Sequence, residues 1–223
     1  MIASIPQPGI AYPRPNYYSQ TEFLRQNAAS SRLDLAAGGR ALLASEDLIV
    51  GLQRGLEGEL AEASTVVMYE CGVAWGEEDM ANFEQRFERE YGRQAREANI
   101  QFVLECWWWP LTAAGWGSWR VDLTRLNQGC VMVDLFQSAV AHSLERVGKP
   151  VCHLYAGLMA GAFGHLFSLP LSCIEIQCYA MGEDRCRFLV GHASRIDAAE
   201  FWLQEGASAE EIAARLPSQT FAS

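Results

Sequence analysis

Absences narrow this chain before any motif does. No uninterrupted apolar run of about 18 residues occurs, so no membrane-spanning helix is expected. Basic charge is scarce: 17 Lys and Arg against 27 Asp and Glu leave a net −10. The basic residues form no runs, which argues against a nucleic-acid groove and against non-specific attachment to anionic membranes, and leaves peripheral membrane contact open. Met1 to Tyr18 lacks the basic and apolar segments of a secretory leader, so a cytoplasmic location is expected. No G-x-G-x-x-G, Gly-Lys-Ser/Thr loop, C-x-x-C pair or serine nucleophile elbow is found. No nicotinamide, flavin, nucleotide or iron–sulfur site of its own is therefore expected.

What is present is a globular composition. Half of the 223 residues are apolar and a fifth are charged, which excludes disorder for the chain as a whole. The seven cysteines are odd in number, and free thiols or metal ligands suit a reducing compartment better than disulfides. Residues 1–30 read as an extended arm, because Pro6, Pro8, Pro13 and Pro15 forbid helix. Residues 31–192 read as the main domain and 193–223 as a helical extension.

Within the main domain Ser45 is placed to cap a helix, with Leu48, Leu52, Leu56 and Leu60 as its buried stripe. Helices are expected over 64–75, from about Met80 to Gly92, and from 94 to 109, the last stopped by Pro110. Trp119, Val121 and Leu123 alternate, as do Val131, Val133 and Leu135, with a loop at 127–129. That pattern predicts a β-hairpin. Helices return over 137–146 and 151–168, and a second hairpin spans 172–180 and 185–191. Ser194 with Asp197, and Ser208 with Glu211, have capping-box spacing, and Pro217 closes the last helix. The order argues α+β: an antiparallel sheet of two hairpins packed with helices.

Three constellations could carry chemistry. Cys178 and Cys186 flank the turn at Gly182, so a hairpin sets them opposite each other, where two thiolates can share a tetrahedral zinc. Cys152 begins the preceding helix, where the helix dipole favours a thiolate. Glu175 lies three residues before Cys178, and strand alternation sends the two to opposite faces unless a bulge intervenes. Metal ligation and inert buried cysteines both fit this spacing; Cys71, Cys106, Cys130 and Cys173 read as apolar core.

Gly157, Gly161 and Gly164 make a smooth strip on one helix, open either to a neighbouring helix or to a flat ligand. Trp107, Trp108 and Trp109 span ~200° of helix and cannot all enter one core. With Trp116 they are candidates for an apolar ligand pocket. His153 and His165 are ~18 Å apart along their helix, so they cannot share a site. No axial histidine is expected from them, nor from His142 or His192.

Cys152-His-Leu-Tyr-Ala-Gly-Leu-Met-Ala-Gly, followed by Ile174-Glu-Ile-Gln-Cys-Tyr-Ala-Met-Gly-Glu-Asp-Arg-Cys-Arg-Phe, resembles the 4-vinyl reductase domain family. Tyr69-Glu-Cys-Gly-Val-Ala-Trp-Gly and Ala114-Gly-Trp-Gly resemble its helical and central segments, and the likeness runs over about residues 45–192. It implies an α/β fold akin to ligand-binding domains of nitric-oxide signalling and Golgi-transport proteins. The family includes sensory domains of phenol-responsive activators and proteins that accompany chlorophyll synthesis or photosystem assembly. It also implies a structural zinc held by Cys152, Glu175, Cys178 and Cys186. The expected function is binding of a hydrophobic small molecule, a tetrapyrrole or chlorophyll precursor, in an accessory role in pigment synthesis or photosystem assembly. A cyanobacterial or photosynthetic type of member and a homodimer are expected. A vinyl reductase or isomerase component with a separate electron donor is the alternative. A dimeric scaffold using the glycine helix as its face is a further one.

Overall fold

The computed structural model describes residues 24–35 and 39–216. The proline arm lies outside these residues up to position 23, as does Pro217. The first described residues form a small antiparallel sheet: β1 (Leu24–Asn27), β2 (Arg32–Leu35) and β3 (Arg40–Ala41).

α1 (Glu46–Leu60) follows, with Ser45 at its N-cap. The Ser45 side chain makes no capping bond; its backbone carbonyl accepts from Leu48 instead. The expected leucine stripe does not enter the core. Leu48 and Leu52 are each 53% exposed, and Ile49, Val50 and Gln53 face inward. The reason is that α1 lies at the margin of the domain and buries only one narrow edge.

The two helices expected over 64–91 are one, α2 (Ala63–Tyr91), ended by Gly92 in the left-handed conformation. Met80, Phe83, Phe87 and Tyr91 are buried along it, as their spacing requires. α3 (Ile100–Ala113) is capped by Asn99, whose side chain accepts from the Phe102 amide at 3.1 Å. Pro110 does not stop it; the helix continues for three residues, so the expected end at Trp109 falls one turn short.

The main sheet holds β4 (Ser118–Asp122), β5 (Cys130–Phe136), β6 (Leu171–Gln177) and β7 (Cys186–His192). Its order is β4-β5-β7-β6, antiparallel throughout, so the two expected hairpins join through β5 and β7. The expected α/β class, two hairpins packed with helices, is what forms. Between the hairpins lie α4 (Ala139–Leu144), capped by Ser138, and α5 (His153–Phe167).

α5 and the aromatic side chains of α3 build the main core on one face of the sheet. The other face is covered by α6 (Ala193–Gln204) and α7 (Ala209–Arg215), with Ile196, Trp202 and Ile212 against Met132, Ile176 and Leu189. Ser208 and Glu211 form the expected capping box. Ser194 and Asp197 do not: helix begins at Ala193, so Ser194 already lies inside it. Among the described residues no helix is long and apolar enough to cross a membrane.

Candidate metal centre and the aromatic core

Four residues from three elements converge below the second hairpin. Cys152 is the N-cap of α5, so its backbone turns out of helix where its side chain meets the sheet. Glu175 sits on β6 and Cys186 opens β7. Cys178 follows β6 and begins a tight turn, where its carbonyl accepts from the Met181 amide at 3.0 Å; Gly182, at φ 103°, completes the reversal.

Alternation alone would part Glu175 from Cys178. The pairing shifts instead: Glu175 faces Phe188, while Gln177 faces Arg187. One extra residue is absorbed at Ile176, and such a bulge re-aims the side chains after it. Glu175 and Cys178 thereby reach the same side.

The cluster is compact and buried. The Cys152 and Cys186 sulfurs are 3.5 Å apart and those of Cys186 and Cys178 are 3.9 Å apart. One ligand atom from each of the four residues lies within 4.8 Å of all the others. A disulfide needs a sulfur separation of about 2.05 Å, so these are not bonds. Tetrahedral zinc with Zn–S of about 2.3 Å sets its sulfurs about 3.8 Å apart. Glu175 Oε2 accepts from the Cys152 amide at 3.0 Å, while its Oε1 is buried without a protein partner. An orphaned carboxylate oxygen beside three convergent sulfurs fits a zinc-sized dication.

Electrostatics points the same way. Burial, and then the neighbouring Cys178, push the Glu175 carboxyl far above its ordinary range. Cys152 is raised by its complete burial first of all. Cys178 is drawn down to about 2 by hydrogen bonds from Cys152 and Cys186. The hydrogen bond from Cys152 lowers Cys186, but that with Cys178 and burial outweigh it, so Cys186 is raised. The protein by itself therefore tolerates roughly one negative charge among four acids. A dication is what would let all four lose their protons. Ser138 Oγ, which caps α4, stands 3.5 Å from Cys152 Sγ and ties this helix to the cluster.

One turn along α5 from Cys152 lies the aromatic core. Tyr155 donates to the Trp116 carbonyl at 2.6 Å. Trp108 stacks on Trp119 with centroids 5.1 Å apart, and Tyr155 meets Trp119 edge-on at 5.4 Å. Trp107 is buried and donates to Asp79 Oδ2 at 2.7 Å. Trp108 is buried, whereas Trp109 is half-buried, so the three consecutive rings do divide as their spacing demands. The indole N–H groups of Trp108 and Trp119 are buried and have no acceptor.

The glycine strip does not line this space. A Cβ on Gly157 would run into the Tyr69 carbonyl, and one on Gly161 into the Val73 carbonyl, both on α2. The partner face is Gly72 and Gly76, whose own Cβ positions would strike the Leu154 and Leu158 carbonyls of α5. Two helices approach here backbone to backbone, and that closeness, not a flat ligand, accounts for the strip. Gly164 meets the Leu169 carbonyl; with Gly161 it edges a groove of about 250 Å³ walled by Glu77, His165 and Pro170. The ligand-pocket reading of Gly157, Gly161 and Gly164, and the scaffold reading with this helix as dimer face, are both corrected by the α2 contact. Gly72 and Gly76 were the missed signal: they repeat the four-residue spacing of Gly157 and Gly161.

Residues 131–192, which contain all four cluster residues, match the family model of the 4-vinyl reductase domain. Three curated proteins of Methanocaldococcus jannaschii, each described as uncharacterized, are 30%, 24% and 43% identical over 71, 82 and 42 residues. These matches cover 32%, 37% and 19% of this chain and 43%, 45% and 23% of the relatives. The chain thus spans less than half the length of the curated relatives it matches. Among solved structures, the phenol-responsive sensory domain of the transcription activator PoxR, solved with phenol, superposes with a TM-score of 0.59 at 19% identity. The match covers 76% of this chain and 85% of that one. A vinyl-4-reductase family protein from Methanocaldococcus jannaschii gives 0.41 at 16% identity, over 64% and 75% of the two chains. A trafficking protein particle complex subunit 3 from Naegleria fowleri, covalently bound to palmitic acid, gives 0.48 at 12%, over 66% and 93%. At these identities the likeness is one of fold. The 4-vinyl reductase domain resemblance read from the sequence is supported; a photosynthetic subtype is not.

Proposed function

We propose that this chain is a zinc-stabilised binding domain for a small aromatic molecule. The observation that carries the reading is a pair of buried, unpartnered indole donors, on Trp108 and Trp119, in an aromatic box one helical turn from the Cys152–Glu175–Cys178–Cys186 cluster. Buried N–H groups without acceptors are costly, by ~1–3 kcal/mol each. A ring bearing an oxygen acceptor would offset that cost and stack on the surrounding aromatics.

Zinc held by these four protein ligands would have no open position, which makes its role structural: it would tie α5 to the second hairpin. Cys152 would hold the helix start, Glu175 the bulged strand, and Cys178 and Cys186 the two ends of the turn. The unpaired cysteines accord with a cytoplasmic setting.

The fold shared with a phenol-responsive sensory domain supports a ligand of this class. The pigment-synthesis setting expected from the sequence gains no such support, because the curated relatives are archaeal and uncharacterized. Ring centroids 5.1 to 6.0 Å apart in the box suit a single ring better than a tetrapyrrole.

Native mass spectrometry of the full chain, purified without added metal, tests the first half: one zinc per chain is expected. Tryptophan fluorescence titrated with phenol tests the second. Saturable quenching is expected in the wild type, weakened about tenfold or more by Trp108→Phe with zinc retained. A metal-free chain with an unchanged melting curve in chelator would overturn the zinc. Quenching that never saturates, and is the same in Trp108→Phe, would overturn the pocket.

A further inference from the structure

Six of the ten large apolar side chains that stand exposed among the described residues fall between residues 42 and 66: Leu42, Leu43, Leu48, Leu52, Leu60 and Val66. Two surfaces account for most of this. The first is the outer face of α1, where Leu48 and Leu52 are four residues apart and Gly51 and Gly55 lie beside them with nothing within 4 Å of a Cβ position. The second is a groove of about 450 Å³ across the small sheet, lined by Leu33, Ala41, Leu42 and Leu43 with Arg32 and Arg40 at its edges. Leu42 and Leu43 are 86% and 88% exposed.

Within one chain neither surface covers the other; both face outward across the four residues between Ala41 and Glu46. The small sheet has two four-residue strands and one of two residues, and such a sheet needs a covered apolar face to persist.

Their charges are opposite. α1 carries Glu46, Asp47, Glu57 and Glu59 against Arg54, and the described strands carry Arg25, Arg32 and Arg40 against Asp34. In a chain of net charge −10 a basic sheet beside an acidic helix is a complementary pair. Two copies related by a two-fold axis satisfy both surfaces at once, each groove taking the other copy's helix.

We propose that the groove of β1–β3 in one protomer receives the Leu48–Leu52 face of α1 from a second copy. Gly51 and Gly55 let the helix sit close to the groove, and Glu59, on the same side of α1, faces the arginines of the partner's sheet. The inference is independent of the zinc and of the aromatic box.

Sedimentation equilibrium of the full chain at micromolar concentration tests it, with zinc content and melting curve recorded for every variant. The wild type should be a dimer. Leu48→Asp with Leu52→Asp should raise the dissociation constant about a hundredfold or more while the monomer keeps its fold and metal. Arg40→Glu and Glu59→Arg should each weaken the dimer, and the two together should restore part of the loss. A monomeric wild type overturns the proposal, whether the groove is then filled by residues 1–23 of its own chain or by a vesicle of phosphatidylcholine and phosphatidylserine. So does a dimer indifferent to the leucine pair, or a double charge reversal no better than either single one.

Discussion

Two glycine-bearing helix faces in this molecule look alike in the sequence and differ completely in their surroundings. On α2 and α5, Gly72, Gly76, Gly157 and Gly161 interlock, and each Cβ position is already taken by the other helix's backbone. On α1, Gly51, Gly55 and Gly58 have nothing within 4 Å. Each glycine costs a helix about 1 kcal/mol relative to alanine. In the first pair that cost is offset by a close approach which buries Leu158, Met159 and Ala162 completely. In α1 nothing in the single chain offsets it. Small residues on a helix therefore mark a close approach only when a matching set faces them.

The sharpest way to break the comparison is to fill the interlocked face. Gly161→Leu is expected to prevent folding, because the added atoms meet the Val73 carbonyl and the Glu77 amide of α2, which cannot move aside as a side chain can. Gly157→Ala should cost ~3 kcal/mol or more by denaturant unfolding. Normal stability in either variant would mean that α2 and α5 do not touch here.

The cysteines sharpen it in the same sense. Cys178 is buried in the four-residue cluster and Cys71 is exposed on α2. Cys178→Ser should lower stability by ~3 kcal/mol or more, roughly 6–12 °C in a chain of this size, and abolish zinc retention; Cys71→Ser should change neither. Chelator should reproduce the Cys178→Ser melting curve in the wild type. Equal effects of the two substitutions would remove the distinction.

Asp79 offers a pH-resolved version. It accepts from Trp107 at 2.7 Å in a largely buried setting, and burial raises its carboxyl above the usual 3.8, against the lowering by Trp107 and Arg86. A raised acid favours the protonated folded state. Its contribution is thus fully present below the unfolded value of 3.8 and is lost as pH rises through the higher folded value. Asp79→Asn keeps an acceptor for the indole and removes the titration. The variant should gain on the wild type as pH rises from acid to neutral, by up to ~1 kcal/mol. Parallel stability curves would show that Asp79 does not titrate differently on folding.

The parts of the fold legible in the sequence were those with local periodicity. Trp119, Val121 and Leu123 against Val131, Val133 and Leu135 specify a hairpin, and Met80, Phe83, Phe87 and Tyr91 specify a buried helix face, because side-chain spacing alone sets which face is covered. The Cys178–Cys186 juxtaposition was legible from the turn at Gly182. Bringing Glu175 to the same side depended on a bulge at Ile176 that no spacing rule reveals. What covers a face is a tertiary matter. Leu48 and Leu52 have the period of a core stripe yet point outward, and Gly157 and Gly161 have the look of a ligand surface yet meet another helix. The small sheet of residues 24–41 was missed because its strands are too short to show alternation.

The smallest expected effect is the most discriminating for α1. Gly55→Ala adds a methyl where the single chain has open space, so in a monomer it should only relieve the glycine penalty. That relief is ~0.5–1 kcal/mol, or about 1–4 °C in melting temperature. If the Leu48–Leu52 face seats in a second copy's groove, the same methyl intrudes on a close contact and its benefit is offset in the dimer. Melting curves of wild type and Gly55→Ala, recorded in dilute solution where monomer dominates and again well above the dimer's dissociation constant, separate the cases. The gain should be present when dilute and should shrink or reverse when concentrated. A gain of the same size at both concentrations would place α1's outer face in solvent whatever the oligomeric state. The glycines there would then be a plain loss of helix stability.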